Sequence, residues 1–283
     1  MDFVTADKVD RAALLDAAND AFSDYAAPAP AMPRAAFDEM LQQRGFDPTL
    51  SWLAIDGSQI AAYWLVGTEP EHRPGVSYGL SVGTRPAFRR QGLALRLWER
   101  VVPHLKKTGC TEQILEVIET NNRAVPLYEA LGFTTRRRIE CFKGPVPSVH
   151  PTPISLDFRN VDTDDAARTG APFCEWEPTW QNSTKAVINL GSTVTATIAY
   201  MGDQPAAYGL FHKPHGQIVQ LAVDPKWRGR GIGRGLLRHW GETHAKNTMV
   251  VLNIPDTDKA SLGFFASFGW INHVNQFEMK ADL

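Results

Sequence analysis

The sequence predicts a mixed α/β fold, α+β-like in character, in which one structural unit occurs twice. In each copy an apolar strand, a glycine-rich turn and an amphipathic helix follow one another, over residues 78–105 in the first copy and 218–240 in the second. This order aims backbone N–H groups and a helix N-terminus at an anion. The two turns align at a constant offset of 139 residues, which pairs Arg89 with Arg228, Gly92 with Gly231 and Ala94 with Gly233. An alignment kept over the whole turn indicates an internal repeat.

The first copy is expected to begin with two helices and a hairpin. Apolar residues at helical spacing predict a helix over 8–22, followed by a second over 33–45. Asp56-Gly57 stands between two apolar runs, which is a strong hairpin signal. Pro103 is expected to interrupt or bend the helix that follows the turn. The other elements of this copy are a strand over 76–82, a strand over 113–118, a helix over 124–131 and a strand that ends at 142.

A proline-rich segment over 144–153 separates the two copies and is typical of a semi-rigid linker. We therefore expect an N-terminal domain over 1–143 and a C-terminal domain over 154–283. The second copy begins with an ambiguous, partly helical region over 162–190. Its later elements repeat the first copy: strands over 193–200, 206–211 and 217–223, the helix after the turn, a strand over 248–253, a helix over 259–268 and a strand over 276–280.

Composition and charge exclude several classes of function. The 283 residues are 43% apolar and 21% charged, as in soluble globular proteins, and they suffice for two cores. A net charge of −2 argues against a nucleic-acid binder, and the basic cluster over 136–138 is more often simply solvated. No apolar run approaches the roughly 20 residues of a membrane helix, the N-terminus has no signal pattern, and three separated cysteines form no disulfide framework or zinc spacing. We expect a reduced, cytoplasmic protein with neither membrane nor nucleic-acid partners.

The glycine-rich turns differ from two common phosphate-binding loops. The chain has no Gly-x-x-x-x-Gly-Lys-Ser/Thr sequence, which excludes the nucleoside triphosphate loop. The dinucleotide fingerprint also fails, because Arg234 stands where a third glycine would follow Gly229 and Gly231. What remains is Arg-x-x-Gly-x-Gly/Ala between a strand and a helix. Its glycines let the backbone approach a pyrophosphate closely, and its arginine supplies a counter-charge.

A second pattern makes this interpretation more specific. Residues 121–133 read Asn-x-x-Ala-x-x-Leu-Tyr-x-x-x-Gly-Phe, and Tyr128 lies 39 residues after Arg89. Together with the turns, this pattern resembles the two signatures of the GNAT acyltransferase family. The resemblance covers nearly the whole chain as a tandem pair, and the two-domain layout is similar to that of the mycothiol-synthase type. It implies two GNAT domains, each with a central, mostly antiparallel sheet flanked by helices.

The resemblance implies acetyl-CoA as cofactor, held in a V between two splayed strands, and no metal. Tyr128 would stand beside the thioester sulfur as general acid, a task suited to a phenol with a pKa of about 10. A core aromatic on a helix is the alternative for this residue. The implied cofactor-binding residues are Leu80, Val82, Arg89, Arg90, Gln91, Gly92, Leu93, Ala94 and Asn121 in the first half, and Val223, Arg228, Gly229, Arg230, Gly231, Ile232 and Gly233 in the second.

The second half departs from the family pattern at two positions. Phe265 occupies the tyrosine position and Asp258 the asparagine position. Phenylalanine cannot donate a proton to a departing thiolate. We therefore expect the first half to catalyse, and the second to be a degenerate partner that could still bind CoA.

The general base and the acceptor site are less specified. Glu116 is the best carboxylate for a base, but strand alternation also allows it to face solvent or a structural partner. Water-relayed proton loss would need no dedicated base. Phe22 and Tyr25, between the first two helices, and Tyr78, on the strand before the turn, are the candidate substrate-binding residues.

The sequence thus predicts an enzyme that transfers an acetyl group from acetyl-CoA to a primary amine of a small molecule or peptide, by direct attack in a ternary complex. One alternative is transfer of a longer acyl group, or transfer to an aminoglycoside-type acceptor. Another is a CoA-binding regulatory or structural module without turnover in the second half. Both a monomer and a homodimer are consistent with a tandem pair.

Overall fold

A computed structural model describes residues 1–24, 30–147, 155–244 and 247–283. Tyr25, a predicted substrate-binding residue, and most of the expected linker over 144–153 lie outside these ranges. The chain divides into two compact units, which we call the first unit (1–137 with 276–283) and the second unit (138–275). The predicted mixed α/β fold, with the same kind of unit occurring twice, is confirmed.

The first half of the chain supplies most of the first unit. Its elements are β1 (Asp2–Thr5), α1 (Arg11–Ala21), α2 (Arg34–Gln43), β2 (Phe46–Asp56), β3 (Gln59–Thr68), β4 (Val76–Thr84), α3 (Leu93–Lys107), β5 (Glu112–Ile118), α4 (Ala124–Ala130) and the start of β6 (Thr134–Pro145). The predicted hairpin forms, with β2 and β3 joined across Asp56 and Gly57. The helix α3 continues through Pro103 rather than ending there. Val101 and Leu105, on either side of Pro103, are fully buried, so packing holds the helix where one backbone hydrogen bond is lost.

The second half of the chain supplies most of the second unit. Its elements are β7 (Asp157–Val161), α5 (Thr163–Gly170), α6 (Thr184–Asn189), β8 (Val194–Met201), β9 (Gln204–His212), β10 (Gln217–Val223), α7 (Ile232–Thr243), β11 (Thr248–Pro255), α8 (Lys259–Ala266) and β12 (Ile271–Asp282). The region that the sequence left ambiguous, 162–190, contains the short helices α5 and α6.

Each unit contains a sheet that is antiparallel except for one parallel pair. The strand order is β1-β2-β3-β4-β5-β12 in the first unit, and β4 and β5 are its parallel pair. In the second unit the order is β6-β11-β10-β9-β8-β7, and β10 and β11 are parallel. A glycine-rich turn follows β4 and β10, the strand in each parallel pair that precedes the crossover helix.

The last strand of each sheet comes from the other half of the chain. Residues 276–282 of β12 pair with β5, from Gln276 opposite Ile118 to Asp282 opposite Glu112. Residues 139–145 of β6 pair with β11 in the second unit. The expected domains over 1–143 and 154–283 followed sequence order, whereas the two units exchange these final strands. A sheet edge accepts any strand of suitable register, and sequential strands are neighbours only about two-thirds of the time.

A buried ion pair accompanies this exchange in the first unit. Arg137 donates to both carboxylate oxygens of Glu278, at 2.7 and 3.0 Å, and Glu278 is only 1% exposed. The basic cluster over 136–138 was expected to be solvated. Its middle residue instead supplies the counter-charge that a buried carboxylate requires.

Each unit has its own hydrophobic core on the side of its crossover helix. In the first unit α3 buries Leu97, Trp98 and Val101 against the sheet. In the second unit α7 buries Leu236, Leu237 and Trp240 at corresponding places. Within the described ranges, no helix combines the length and the apolar character that crossing a membrane requires.

Candidate active site

The strands β4 and β5 are paired at one end and apart at the other. Their parallel pairing covers Val76–Tyr78 opposite Glu112–Ile114 in the described register. On its other side β4 has a bulge at Leu80, because Ser81 pairs with Leu65 while Gly79 pairs with the next residue of β3. A bulge bends its strand and ends regular pairing. The geometry therefore provides the splay that the resemblance implied for the cofactor.

A cavity of about 590 Å³ opens at this splay, and we call it the first cavity. It extends from the segment that joins α1 and α2, across β4 and β5, to α4. Six of the residues predicted for the first half line it: Phe22, Leu80, Val82, Glu116, Asn121 and Tyr128. The structure thus brings candidate acid, base, cofactor and acceptor residues to one place.

Glu116 lines the cavity, and its carboxyl group is held by Tyr78 of β4. Tyr78 donates a hydrogen bond to its Oε2, whereas Oε1 is buried without a hydrogen-bond partner among the described residues. Burial raises the pKa of Glu116 to about 7, against a smaller lowering by the Tyr78 hydrogen bond. A carboxyl with this pKa suits a general base near neutral pH.

Tyr78 lies on β4, beside Glu116 of the neighbouring strand. It was expected to bind substrate, but it is 2% exposed and is not among the described residues that line the first cavity. Its side chain lies on the same face of the sheet as Glu116, since its hydroxyl donates to the carboxyl of that residue on the neighbouring strand. Tyr78 therefore positions the carboxyl of Glu116, and substrate binding by Tyr78 stays a prediction.

Tyr128 lies on α4, is 8% exposed and lines the first cavity. Its ring packs edge-on against Trp64, with 6.2 Å between ring centroids, and tilted against Phe133. These contacts fix the direction of the phenol. Asn121 caps the same helix, since its Oδ1 accepts from the backbone N–H of Ala124 at 3.0 Å. The asparagine of the motif thus has a structural task beside its place in the cavity wall.

The glycine-rich turn of the first unit has the backbone expected for an anion site. Gly92 adopts a left-handed conformation (φ 69°) at the N-terminus of α3, and Arg90 is left-handed as well (φ 65°). In the described part of the chain, however, residues 89–94 do not line the first cavity. Binding of a pyrophosphate by this turn stays a prediction.

The guanidinium of Arg89 forms hydrogen bonds to groups of the first unit itself. It donates to the carbonyls of Thr84 (3.2 Å) and Ala21 (3.0 Å) and makes two bonds of 2.7 Å to Asp24. Asp24 also pairs with Arg123 at 3.3 Å. The hydrogen bond from Arg89 is the main reason that the pKa of Asp24 lies below its ordinary value. Arg89 therefore ties the end of α1 to the end of β4, and a counter-charge role toward a cofactor stays a prediction.

The second unit contains a larger cavity of about 640 Å³, which we call the second cavity. All seven cofactor residues predicted for the second half line it: Val223, Arg228, Gly229, Arg230, Gly231, Ile232 and Gly233. Arg228 repeats the contacts of Arg89, because it donates to the carbonyls of Val223 and Phe173 and pairs with Glu175 at 2.5 Å. The arginine of the motif thus has the same structural role in both units.

The chemistry of the second cavity differs from that of the first. Its wall contains a neutral hydrogen-bond chain in which Tyr208 donates to Gln220 at 2.9 Å and Gln220 donates to the carbonyl of Asn182 at 2.7 Å. Phe265 stands at the tyrosine position and is 3% exposed. When Asp258 is aligned with Asn121, Asn253 takes the place of Glu116. The second unit therefore has neither the phenol nor the carboxyl of the first at these two positions.

Two residues of the first unit were missed in the sequence. Arg44 lines the first cavity, and Asp24 pairs with Arg89. Arg44 directly follows the last residue of α2. Gly45 after it indicated the end of the helix, but nothing in the sequence indicated that Arg44 lines a cavity. Asp24 gave no signal, because its partner is 65 residues away. Such contacts depend on how distant segments pack.

Comparison with known proteins agrees with this geometry. A model described as "Acetyltransferase (GNAT) family" matches residues 13–133, and one described as "Acetyltransferase (GNAT) domain" matches residues 192–272. A mycothiol acetyltransferase of Streptomyces avermitilis is 32% identical over 99 residues, which are 35% of this chain and 31% of that protein. The ribosomal protein bS18-alanine N-acetyltransferase of Escherichia coli is 40% identical over 53 residues, 19% of this chain and 36% of that protein. Each match spans only about a third of the relative's length.

Solved structures extend the likeness of fold to the whole chain. A tandem GNAT protein from the clavulanic acid biosynthesis pathway superposes with a TM-score of 0.70 and 14% identity, over 99% of this chain and 98% of the other. A GCN5-related N-acetyltransferase from Sphaerobacter thermophilus gives 0.73 and 14%, over 99% and 95%. The two family models together match more than half of the 283 residues. The chain therefore belongs to the GNAT family of N-acetyltransferases, with one family domain in each half.

Proposed function

We propose that the first unit transfers an acetyl group from acetyl-CoA to a primary amine, by direct attack in a ternary complex. The observation that carries this proposal is that Glu116 and Tyr128 line one cavity at the splay of β4 and β5. The matched relatives' names refer to mycothiol and to an alanine of a ribosomal protein, so both small-molecule and protein amines are acceptors in this family.

The first cavity supplies a group for each proton that the reaction moves. The amine nitrogen attacks the thioester carbon, and a tetrahedral intermediate forms. Glu116 accepts the proton that the attacking nitrogen loses, which its raised pKa permits near neutral pH. The carbon–sulfur bond then breaks, and Tyr128 donates its proton to the departing thiolate. The products are an N-acetylated amine and CoA.

We propose a different role for the second unit, which is to bind CoA without turnover. Its glycine-rich turn lines a cavity, which favours binding of the pyrophosphate there. Phe265 and Asn253 stand in place of the acid and the base, which argues against catalysis. CoA would then stabilise the 283-residue chain through two sites of different function.

The test is release of free thiol from acetyl-CoA in the presence of a panel of primary amines, with the acetylated product identified by mass. We expect Tyr128→Phe to reduce kcat by about 10²-fold or more, as removal of a general acid usually does, and to leave the affinity for CoA unchanged. Tyr63→Phe is the matched control, since Tyr63 is a buried tyrosine of the same unit that is not among the residues lining the cavity.

Two outcomes would contradict the proposal. Full turnover by Tyr128→Phe would remove the phenol from the mechanism. Binding of CoA with no acetyl transfer to any amine would leave only the CoA-binding role.

A further inference from the structure

The first cavity contains two charged groups of opposite sign. Among the described residues that line it, Arg44 and Glu116 are the charged ones, and the others are neutral or apolar. Phe22, Phe37 and Met40 form an apolar part of the wall on the side of α1 and α2. A cavity with a few convergent polar groups in an apolar wall is typical of a small-molecule site.

The backbone at Arg44 is fixed by close packing against β3. A side chain on Gly67 would place its Cβ 2.2 Å from the carbonyl oxygen of Arg44, so only glycine fits there. Gly45 is left-handed (φ 67°) and turns the chain directly after Arg44. The position from which the arginine side chain departs is therefore rigid.

The side chain of Arg44 reaches the bulge of β4. Its Nη1 donates to the carbonyl of Leu80 at 3.3 Å. Its charge is also felt by Glu116, whose pKa is raised chiefly by burial but is lowered in part by Arg44. The guanidinium thus lies on the acceptor side of the splay, near the carboxyl that we assign as base.

We propose that the acceptor of the first cavity is an amino acid with an apolar side chain, and that Arg44 binds its carboxylate while Glu116 takes the proton of its amine. This inference rests on the proposed function. The planar guanidinium matches a carboxylate in shape and charge. The aromatic and methionine side chains of the wall accommodate the apolar part of the acceptor.

The first test compares L-phenylalanine with phenethylamine, which keeps the ring and amine but lacks the carboxylate. We expect the 283-residue chain to acetylate phenylalanine with a kcat/KM at least about 10-fold higher, since phenethylamine cannot form the charged hydrogen bond to Arg44. Arg44→Gln should reduce this value for phenylalanine at least about 10-fold, mainly through KM, and change that for phenethylamine little. Arg34→Gln is the matched control, because Arg34 lies on α2 and pairs with Asp38 outside the cavity.

The second test measures binding and needs no turnover. 3-Phenylpropionate has the ring and the carboxylate but no amine, and its affinity for wild type is measured by calorimetry. We expect binding to weaken about 10-fold or more in Arg44→Gln and less in Arg44→Lys, which keeps the charge but loses the planar fork. Circular dichroism establishes whether each variant is folded. If Arg44→Gln does not fold, the affinity of Arg44→Lys for 3-phenylpropionate tests the proposal.

The outcomes separate this inference from the proposed function. Equal kcat/KM for phenylalanine and phenethylamine, or equal affinity of wild type and Arg44→Gln for 3-phenylpropionate, would overturn the role of Arg44 while acetyl transfer stands. Binding of 3-phenylpropionate that depends on Arg44, with no transfer to any amine, would support the anion site and contradict the proposed function.

Discussion

Tyr78 donates its phenolic hydrogen to Oε2 of Glu116, while Oε1 of the same carboxyl is buried without a hydrogen-bond partner among the described residues. The first oxygen is thereby fixed, and Glu116 lines the first cavity. Burial raises the pKa of Glu116 to about 7, and the pKa of Tyr78 lies well above its ordinary value for the same reason. The pair combines a rigid orientation with a carboxyl that gains and loses its proton near neutral pH.

The rate of acetyl transfer should therefore rise with pH through about 7. Glu116 must be ionised to accept a proton. With a pKa of about 7, kcat/KM should be low at about pH 5.5 and reach a plateau at about pH 8. The groups that act on it are Tyr78 from β4, Glu278 from β12, Arg44 after α2 and Arg137 from β6. A pH profile of kcat/KM measures this.

Two variants complete the pH experiment. Glu116→Gln should lose most of the activity, and its kcat/KM should no longer rise with pH through about 7. Glu112→Gln, on the same strand but paired with Lys280, should keep both. An unchanged rising limb in Glu116→Gln would show that another group titrates.

The same pKa predicts how stability depends on pH. The folded-state pKa of Glu116 lies above its ordinary value of 4.5. The protonated carboxyl therefore contributes its full stability to the folded protein below pH 4.5, and this contribution is lost as the pH rises through about 7. Glu116→Gln cannot ionise. Its free energy of unfolding relative to wild type should therefore be higher at pH 8 than at pH 5, by roughly 2 kcal/mol. Urea melts of both proteins at the two pH values measure this, and an identical difference at both would contradict a buried, raised carboxyl.

Arg89→Ala should weaken the fold more than the binding of acetyl-CoA. The guanidinium joins Thr84, Ala21 and Asp24, and hydrogen bonds to a charged group contribute about 1.5–3 kcal/mol. We expect the free energy of unfolding to fall by about 2 kcal/mol. Arg34→Ala is the control, because Arg34 is exposed on α2 and is not a predicted cofactor-binding residue. A variant of normal stability with a raised KM for acetyl-CoA would instead make Arg89 a counter-charge for the cofactor.

Gly263→Ala should stabilise the second unit. Gly263 is an exposed residue inside α8, with nothing within 4 Å of the place where a Cβ would stand. Alanine restricts the unfolded chain and favours the helix by about 0.5–1 kcal/mol. Gly269→Ala provides the contrast, because Gly269 is left-handed (φ 73°) and equally open, so that variant should lose about 1 kcal/mol. Urea melts that gave both variants the same sign would contradict the assigned backbone conformations.

The sequence predicted local features well, because they depend on neighbouring residues. The helix after each glycine-rich turn, the hairpin at Asp56 and Gly57 and the strand before each turn all follow from periodicity and turn chemistry. The motif over 121–133 placed Tyr128 on a short helix, where the structure has α4. The hydrogen bond from Tyr78 to Glu116 could not be predicted, because the neighbour of Tyr78 across the sheet was unknown.

The sequence by itself determined that the chain is a tandem pair of like units, each with a glycine-rich turn. It also determined that the candidate acid position holds a tyrosine in the first copy and a phenylalanine in the second. Only the tertiary structure decided that β6 and β12 each complete the sheet of the other half, that Tyr78 orients Glu116, and that Arg44 and Glu116 meet one cavity. The physical reason is the distance along the chain over which each kind of interaction acts. Residue type and periodicity act over a few positions, whereas strand pairing, burial and the pKa of a carboxyl depend on groups that the fold brings together from distant parts of the chain.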